Sequence, residues 1–257
     1  GVMAASPAKS AAPDSASKES LLDNFVNGHG VRTLGFVNAH AMNFCVADPK
    51  FAADVLDLDH IVRDGIGLHA LYKLIGTHSG LNLNGTDLLP ELIARYAGQR
   101  IALFGTRLEH VERAAERLRR DVGCDVIVAD GFQRDGYYLE CAAREQPALV
   151  VLGMGMPKQE RVARLMKHGL HQDMAIACGG AILDFLSGHV SRAPGWMRRS
   201  GLEWMYRLSL EPKRLFGRYV IGNPLFLLRS AILSGRPPAT PPAPRPLPVV
   251  RAEPEAY

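Results

Sequence analysis

The stretch "VVLGMGMPKQERVARLM", residues 150–166, decides the fold. It reads as a strand, a glycine turn and a helix opened by Pro157. Proline suits the first helical position, where its missing N–H would be an unused donor anyway. An uninterrupted Val/Leu run before the turn suits a strand of a parallel sheet buried on both faces.

Working outward, the same grammar repeats. Short apolar runs occur at "LGFV" (34–37), "HIV" (60–62), "IALF" (101–104), "DVIVA" (125–129), "ALVVLG" (148–153) and "MAIAC" (174–178), with helical stretches between them. In "RLEHVERAAERLRRDVG" (107–123) the apolar positions Leu108, Val111, Ala115, Leu118 and Val122 recur at helical spacing, and Gly123 ends the run. The alternation predicts an α/β protein with a Rossmann-like, doubly wound, mostly parallel sheet over residues 19–190. The strands run into "RDG" (63–65), "FGT" (104–106), "ADG" (129–131), "GMGMP" (153–157) and "CGG" (178–180). Ligands of such folds bind outside the carboxyl ends of the strands, so these five turns should line one crevice.

Several residues there have chemistry to offer. The backbone N–H groups of the Gly153–Gly155–Pro157 turn would attract a phosphate, with Lys158, Gln159 and Glu160 just beyond; the bland alternative is an ordinary tight turn. A dinucleotide fingerprint fails, because Lys158 occupies the third glycine position, and this disfavours a nicotinamide-dependent oxidoreductase. Gly105, Gly179 and Gly180 belong to neighbouring turns of the same kind. Asp64 stands where a strand meets a glycine turn and reads either as a helix cap or as a general base facing the crevice. In "NLNGTDLLPELI" (82–93), Gly85 forms a tight turn and Thr86 or Asp87 caps a helix. Asp57 and Asp59 spell D-x-D, a metal-holding pattern in many sugar transferases, but they fall between a helix and a strand, so they read as solvated or capping. No histidines or cysteines stand at metal-ligand spacing, and neither a metal nor another cofactor is expected.

The chain has 257 residues, 47% hydrophobic and 22% charged, as in ordinary globular proteins. Four cysteines without C-x-x-C spacing read as reduced and buried. Two ends look disordered: residues 1–18, Ala/Ser/Lys-rich and without the apolar core of a signal peptide, and the proline-rich 235–257. The net charge of +4 is uneven. Arg192 to Arg236 carry nine Lys or Arg against Glu203 and Glu211, a net +7 that leaves −3 for the rest. Within this segment, "RLSLEPKRLFGRYVIGNPLFLL" (207–228) is basic and apolar at once but too interrupted to span a bilayer. Residues 191–234 are therefore expected to form a basic amphipathic helical appendage for an anionic partner. Its aromatics are embedded among aliphatics, unlike a nucleic-acid stacking platform, so no nucleic acid is expected.

The motifs "FVNAHAMNF" (36–44), "RDGIGLHAL" (63–71), "NLNGTDLLPEL" (82–92), "GMGMPKQE" (153–160) and the run from "GGAILDFL" (179–186) through "RAPGWMRRSGLEWMYRLSLEPKRLFGRY" (192–219) occur together and in order. The sequence thereby resembles the WecG/TagA/CpsF family of glycosyltransferases over about residues 30–230. "NLNGTDL" and "RYVIGNPLFLL" lean towards its xanthan-type glucosyltransferases. The resemblance implies an inverting, metal-independent enzyme of exopolysaccharide synthesis, working in the cytoplasm as a peripheral protein of the inner membrane face. It would move glucose from a UDP-sugar to a polyprenyl-diphosphate-linked oligosaccharide; the alternative is N-acetylmannosamine, or its uronate, onto lipid-linked N-acetylglucosamine. It implies that Asp64 is the general base. It assigns the sugar-nucleotide contacts to the neighbourhood of Asn38, Gly65, Gly153, Gly155 and Gln159. It assigns the lipid diphosphate to Arg207, Arg214 and Arg218, and the acceptor side is completed by His40, Arg192, Trp196, Glu203 and Trp204. Phe36 and Asn82 stand where many members have threonine and arginine, which points to a different acceptor or sugar donor. The appendage would then be an acceptor and membrane clamp separable from the sugar-donor site. Packing on its own domain, or between subunits of a homo-oligomer, is the alternative use.

Overall fold

The computed structural model describes residues 15–65, 68, 83–200 and 202–234, without the side chains of 15–17, 199, 214, 233 and 234. The lead before Ser15, Asn82, the Arg214 side chain and the tail from Gly235 lie outside the described residues.

The six apolar runs form six strands of a single sheet: β1 (Val31–Val37), β2 (His60–Arg63), β3 (Arg100–Gly105), β4 (Asp125–Ala129), β5 (Leu149–Gly153) and β6 (Met174–Cys178). The order is β2-β1-β6-β5-β3-β4 and every pairing is parallel. Successive side chains point to opposite faces. Ile101 and Leu103 of β3 therefore join one core and Ala102 and Phe104 the other.

The first face is covered by α1 (Ser15–Asn27), α4 (Gly85–Ala94), α5 (Leu108–Asp121) and α8 (Ile182–Leu186), which contribute Leu22, Phe25, Leu89, Val111 and Leu183 to its core. The second face is covered by α6 (Asp135–Glu145) and α7 (Lys158–Gly169), with Tyr138, Val162 and Met166 inside. Beside them α2 (Ala39–Ala47) and α3 (Pro49–Leu56) gather around Met42, Cys45 and Phe51. The helices α5 and α7 follow the neighbouring strands β3 and β5 on opposite faces. The topological switch that opens a binding crevice thus lies at the carboxyl ends of those two strands.

Two local expectations shift. In α5 the buried set is His110, Val111, Ala114, Ala115 and Leu118, while Leu108 is exposed. Leu108 opens the helix at the crevice end, where its face overhangs the sheet, and His110 takes the covered place. In α4 the cap is Asn84, whose side chain accepts from Thr86 N at 2.8 Å. Gly85 is the first helical residue, and Asp87 sits in the first turn, where a negative charge favours the helix N-terminus.

The C-terminal segment is helical: α9 (Gly195–Arg199), α10 (Glu203–Leu210), α11 (Pro212–Phe216), a π-turn at Gly217–Ile221 and α12 (Gly222–Ser234). It docks on α2. Phe226 is buried with Met42 and Phe51, Asn43 donates to the Gly222 carbonyl at 2.7 Å, and Arg229 donates to the Asn43 side-chain oxygen at 2.9 Å. The far side of the segment leaves Phe216, Val220, Ile221, Leu227, Leu228 and Ile232 exposed. No helix among the described residues is long and apolar enough to cross a membrane.

Candidate active site

Four glycine turns meet at the carboxyl edge of the sheet. Gly105 and Gly153 face each other across β3 and β5, and a Cβ on Gly105 would lie 2.3 Å from the Gly153 carbonyl carbon. Thr106 N donates to the Gly153 carbonyl, and the Thr106 carbonyl accepts from Gly131. A Cβ on Gly153 would in turn meet Leu183 and the Gly180 carbonyl. The turns of β3, β4, β5 and β6 thus form one floor, four of the five turns that the strand punctuation groups together; the fifth follows β2, at the edge of the sheet beyond β1. Gly155 has φ +77°, a conformation that costs a non-glycine residue about 1–2 kcal/mol. Beyond it Pro157 is the N-cap of α7 without a side-chain capping bond, so the helix N-terminus, with its partial positive charge, stands at the carboxyl end of β5.

Lys158, Gln159 and Glu160 brace this floor from below. Lys158 Nζ donates to the carbonyls of Gly131 (2.9 Å) and Gln133 (2.6 Å) and so pins the β4 loop. Gln159 and Glu160 are only 3% and 2% exposed. Gln159 Oε1 accepts from Gly180 N at 3.0 Å, and its Nε2 donates to Glu160 Oε1 at 2.8 Å. The Gln159 amide is therefore spent inside the protein, and its reach to a ligand runs through the Gly179–Gly180 turn.

Asp64 directly follows β2, and its N–H continues the ladder to the Val37 carbonyl. Asn38 caps α2 by accepting from Ala41 N at 3.1 Å and also hydrogen-bonds the Asp64 carboxyl. Burial pushes the Asp64 pKa above the usual carboxylate range, and Glu203 adds to the rise. Arg218, Arg207 and the Asn38 bond pull it back. A carboxylate made more basic by desolvation, with arginines moderating the rise, is suited to proton abstraction. His40, the second residue of α2, is lowered to about 4 by burial and by Arg218, and its ring lies edge-on to Phe44 at 5.3 Å.

The appendage thus reaches the candidate base instead of standing apart from it. Glu203 accepts from Asn84 Nδ2 at 3.4 Å, and Arg192 bonds Asp87 at 2.7 Å, 3.8 Å being its separation from Glu203. These contacts tie α10 to the start of α4. The buried Nε and Nη2 of Arg192 and Nε of Arg207 have no hydrogen-bond partner among the described residues. Such orphaned cationic donors are costly unless an anion meets them. The Arg207 guanidinium lies over Phe185, and Arg218 over Tyr219, which contacts Trp204. Trp196, at the start of α9, is largely exposed. Gly65 takes φ +87° beside Asp64, and a Cβ on Gly85 would lie 3.4 Å from the Phe36 ring.

The Asp57 and Asp59 carboxylates sit at the opposite, amino-terminal end of the strands. Asp59 is held by Thr33 and by Lys167 at 2.7 Å, and Asp57 by His168 at 2.9 Å. Lys167 lies against both carboxylates, 4.0 Å from Asp57 and 2.7 Å from Asp59. Three features escape the sequence reading. Phe132 stands 76% exposed on the pinned β4 loop. Asp184 accepts from the Thr106 hydroxyl at 2.5 Å. His110, 3.5 Å from Asp184, stacks on His189 at 3.9 Å. Only the "FGTRLEH" turn offers a local sequence signal for this last group.

Residues 11–238 match the model of the glycosyl transferase WecG/TagA/CpsF family. Among curated proteins, the N-acetylglucosaminyldiphosphoundecaprenol N-acetyl-beta-D-mannosaminyltransferase of Bacillus spizizenii is 33% identical over 172 residues, 65% of this chain and 66% of the relative. The protein of the same name from Bacillus subtilis is 32% identical over 167 residues, 63% and 65% of the two chains. The match spans just under two thirds of the length of these relatives. Both are mannosaminyltransferases by name, so the glucosyltransferase leaning finds no support in them and the mannosaminyl alternative fits better.

Proposed function

We propose that this chain, which belongs to the WecG/TagA/CpsF family of glycosyl transferases, moves an N-acetylmannosamine-type sugar from a nucleoside diphosphate, UDP in the favoured case, onto N-acetylglucosamine carried by a polyprenyl diphosphate. One observation carries the reading: Asp64, at a strand end in the crevice, meets Arg207 and Arg218 of the appendage. A base for a sugar hydroxyl and cations for diphosphates stand together there. The relatives' names supply the sugar and the lipid-linked acceptor.

In this mechanism the Asp64 carboxylate takes the proton of the acceptor hydroxyl as that oxygen attacks the anomeric carbon. The bond from that carbon to the diphosphate breaks, and its electron pair leaves with the nucleotide. Attack from the face opposite the leaving group inverts the configuration. The nucleotide diphosphate rests on the Gly153–Pro157 turn, where helix amides offset its growing charge. The arginines of the appendage hold the lipid diphosphate and oppose the burial-driven rise of the Asp64 pKa. Asp57 and Asp59 take no part, so the reaction needs no divalent metal. The exposed apolar residues of the appendage rest in the interface of an anionic membrane with the basic residues beside them, as a peripheral anchor.

The test is a transfer assay with UDP-N-acetylmannosamine and UDP-glucose, a lipid-diphosphate N-acetylglucosamine acceptor, and excess EDTA. Transfer of N-acetylmannosamine unaffected by EDTA is expected. Use of glucose alone would overturn the choice of sugar, and loss in EDTA restored by Mn²⁺ would overturn metal independence.

A further inference from the structure

We propose that Glu160 is a buried positioning residue whose carboxylate fixes the orientation of the Gln159 amide, and through it the Gly179–Gly180 turn on which the nucleotide site is built. The proposal rests on the nucleotide-sugar reading above.

The geometry leaves the Gln159 amide one workable orientation. On one side stands an N–H, that of Gly180, which needs an oxygen; on the other stands the Glu160 carboxylate, which needs an N–H. Reversing the amide would set NH₂ against N–H. The backbone of Gln159 also donates to the Gly155 carbonyl at 3.1 Å. One residue thus ties the β5 turn to the β6 turn, and those turns already touch where the Gly180 carbonyl approaches Gly153. Gly180, at φ +56°, opens into α8, which carries the Asp184 that holds Thr106 of the β3 turn. The brace therefore reaches three of the four turns of the floor.

Glu160 does not touch the crevice. Its Oε2 is buried without a hydrogen-bond partner among the described residues. The groups facing it are Cys45 of α2, Cys178 of β6 and Asp54 of α3, of which the two thiols are themselves pushed up partly by Glu160. Burial first, with Asp54 adding to it, pushes the Glu160 pKa up to about 7. The ionised carboxylate can only accept, and so commits the amide. Protonated on Oε2, Glu160 still accepts from Gln159 Nε2 through Oε1, but as a neutral carbonyl, a weaker acceptor than a carboxylate. Protonation therefore weakens the brace on Gly180.

The experiment measures UDP affinity by calorimetry at pH 6 and pH 8, together with hydrogen-exchange protection of residues 178–181, in wild type, Glu160→Gln and Glu160→Leu. In wild type UDP should bind more weakly at pH 6 than at pH 8, by at most about tenfold, the ratio of ionised populations either side of about 7. Glu160→Gln offers a neutral acceptor at every pH, so it should lose that share of the pH dependence and show at both pH values the affinity and protection of wild type at pH 6. UDP's own phosphate titration is common to both proteins and drops out of the comparison. Glu160→Leu should lose at least tenfold in both affinity and protection at either pH. Unchanged protection in the leucine variant would overturn the proposal, as would a glutamine variant as pH-dependent as wild type. Failure of folded, wild-type protein to bind UDP would count against the nucleotide reading alone, since exchange at Gly180 reports on the brace without a ligand.

Discussion

Glu160→Gln should stabilise the protein above neutrality and leave it unchanged in acid. Glu160 is 2% exposed, and its pKa moves from the ordinary 4.5 to about 7 on folding. Below pH 4.5 the folded and unfolded chains both hold the proton. Between 4.5 and 7 only the folded chain does, so stability falls as pH rises, and above 7 both chains have lost it. The gap corresponds to on the order of 3 kcal/mol, at 1.36 kcal/mol per unit. Glutamine has the same shape and never ionises, so it avoids that loss. At 2–4 °C per kcal/mol for a chain of this size, the melting temperature should rise by roughly 6–12 °C at pH 8. The assay is urea unfolding of both proteins at pH 4.5 and pH 8, supported by thermal melts. A stability difference independent of pH, or a wild type the more stable of the two at pH 8, would refute the reasoning, because the carboxylate would then be compensated. A residue that costs stability near a site is expected where geometry is held at the expense of the fold.

Two further outcomes follow from the same contacts. Arg218→Ala removes the largest influence holding the Asp64 pKa down, so the acid limb of the rate–pH profile should move to higher pH; an unmoved limb would separate Arg218 from the base. Replacing Ile221 and Leu228, each 59% exposed, with Glu removes apolar contact and adds repulsion from an anionic surface. Co-sedimentation with anionic liposomes should fall while UDP affinity stays the same, and equal sedimentation of variant and wild type would assign that face to a protein contact.

The sheet was legible because each strand is a continuous apolar run closed by glycine or a polar pair, a pattern that a sheet covered on both faces imposes locally. Asp64 was legible for the same reason, since a strand end fixes its place. The appendage's docking was not: Asn43 and Gly222 are 179 residues apart, and nothing near either announces the other. Its basic, apolar composition suggested a clamp apart from the chemistry, whereas Phe226 packing on α2 carries Arg207 and Arg218 to Asp64. "PKQE" reads as donor-binding residues just beyond a phosphate turn, yet Gln159 and Glu160 are buried and become an internal brace to the β6 turn. The Asp87–Arg192 and Glu203–Asn84 contacts likewise join residues whose partners lie more than a hundred positions away.

The central claim is that Asp64 is the base of a sugar transfer. The most direct measurement is single-turnover transfer of N-acetylmannosamine to the lipid-diphosphate acceptor by wild type and Asp64→Asn, with UDP affinity measured alongside. A positioned base contributes about 10²- to 10⁴-fold, so the account predicts a rate loss in that range with UDP affinity retained. Asp64→Asn protein that is folded, binds UDP and transfers within a few-fold of the wild-type rate would contradict it.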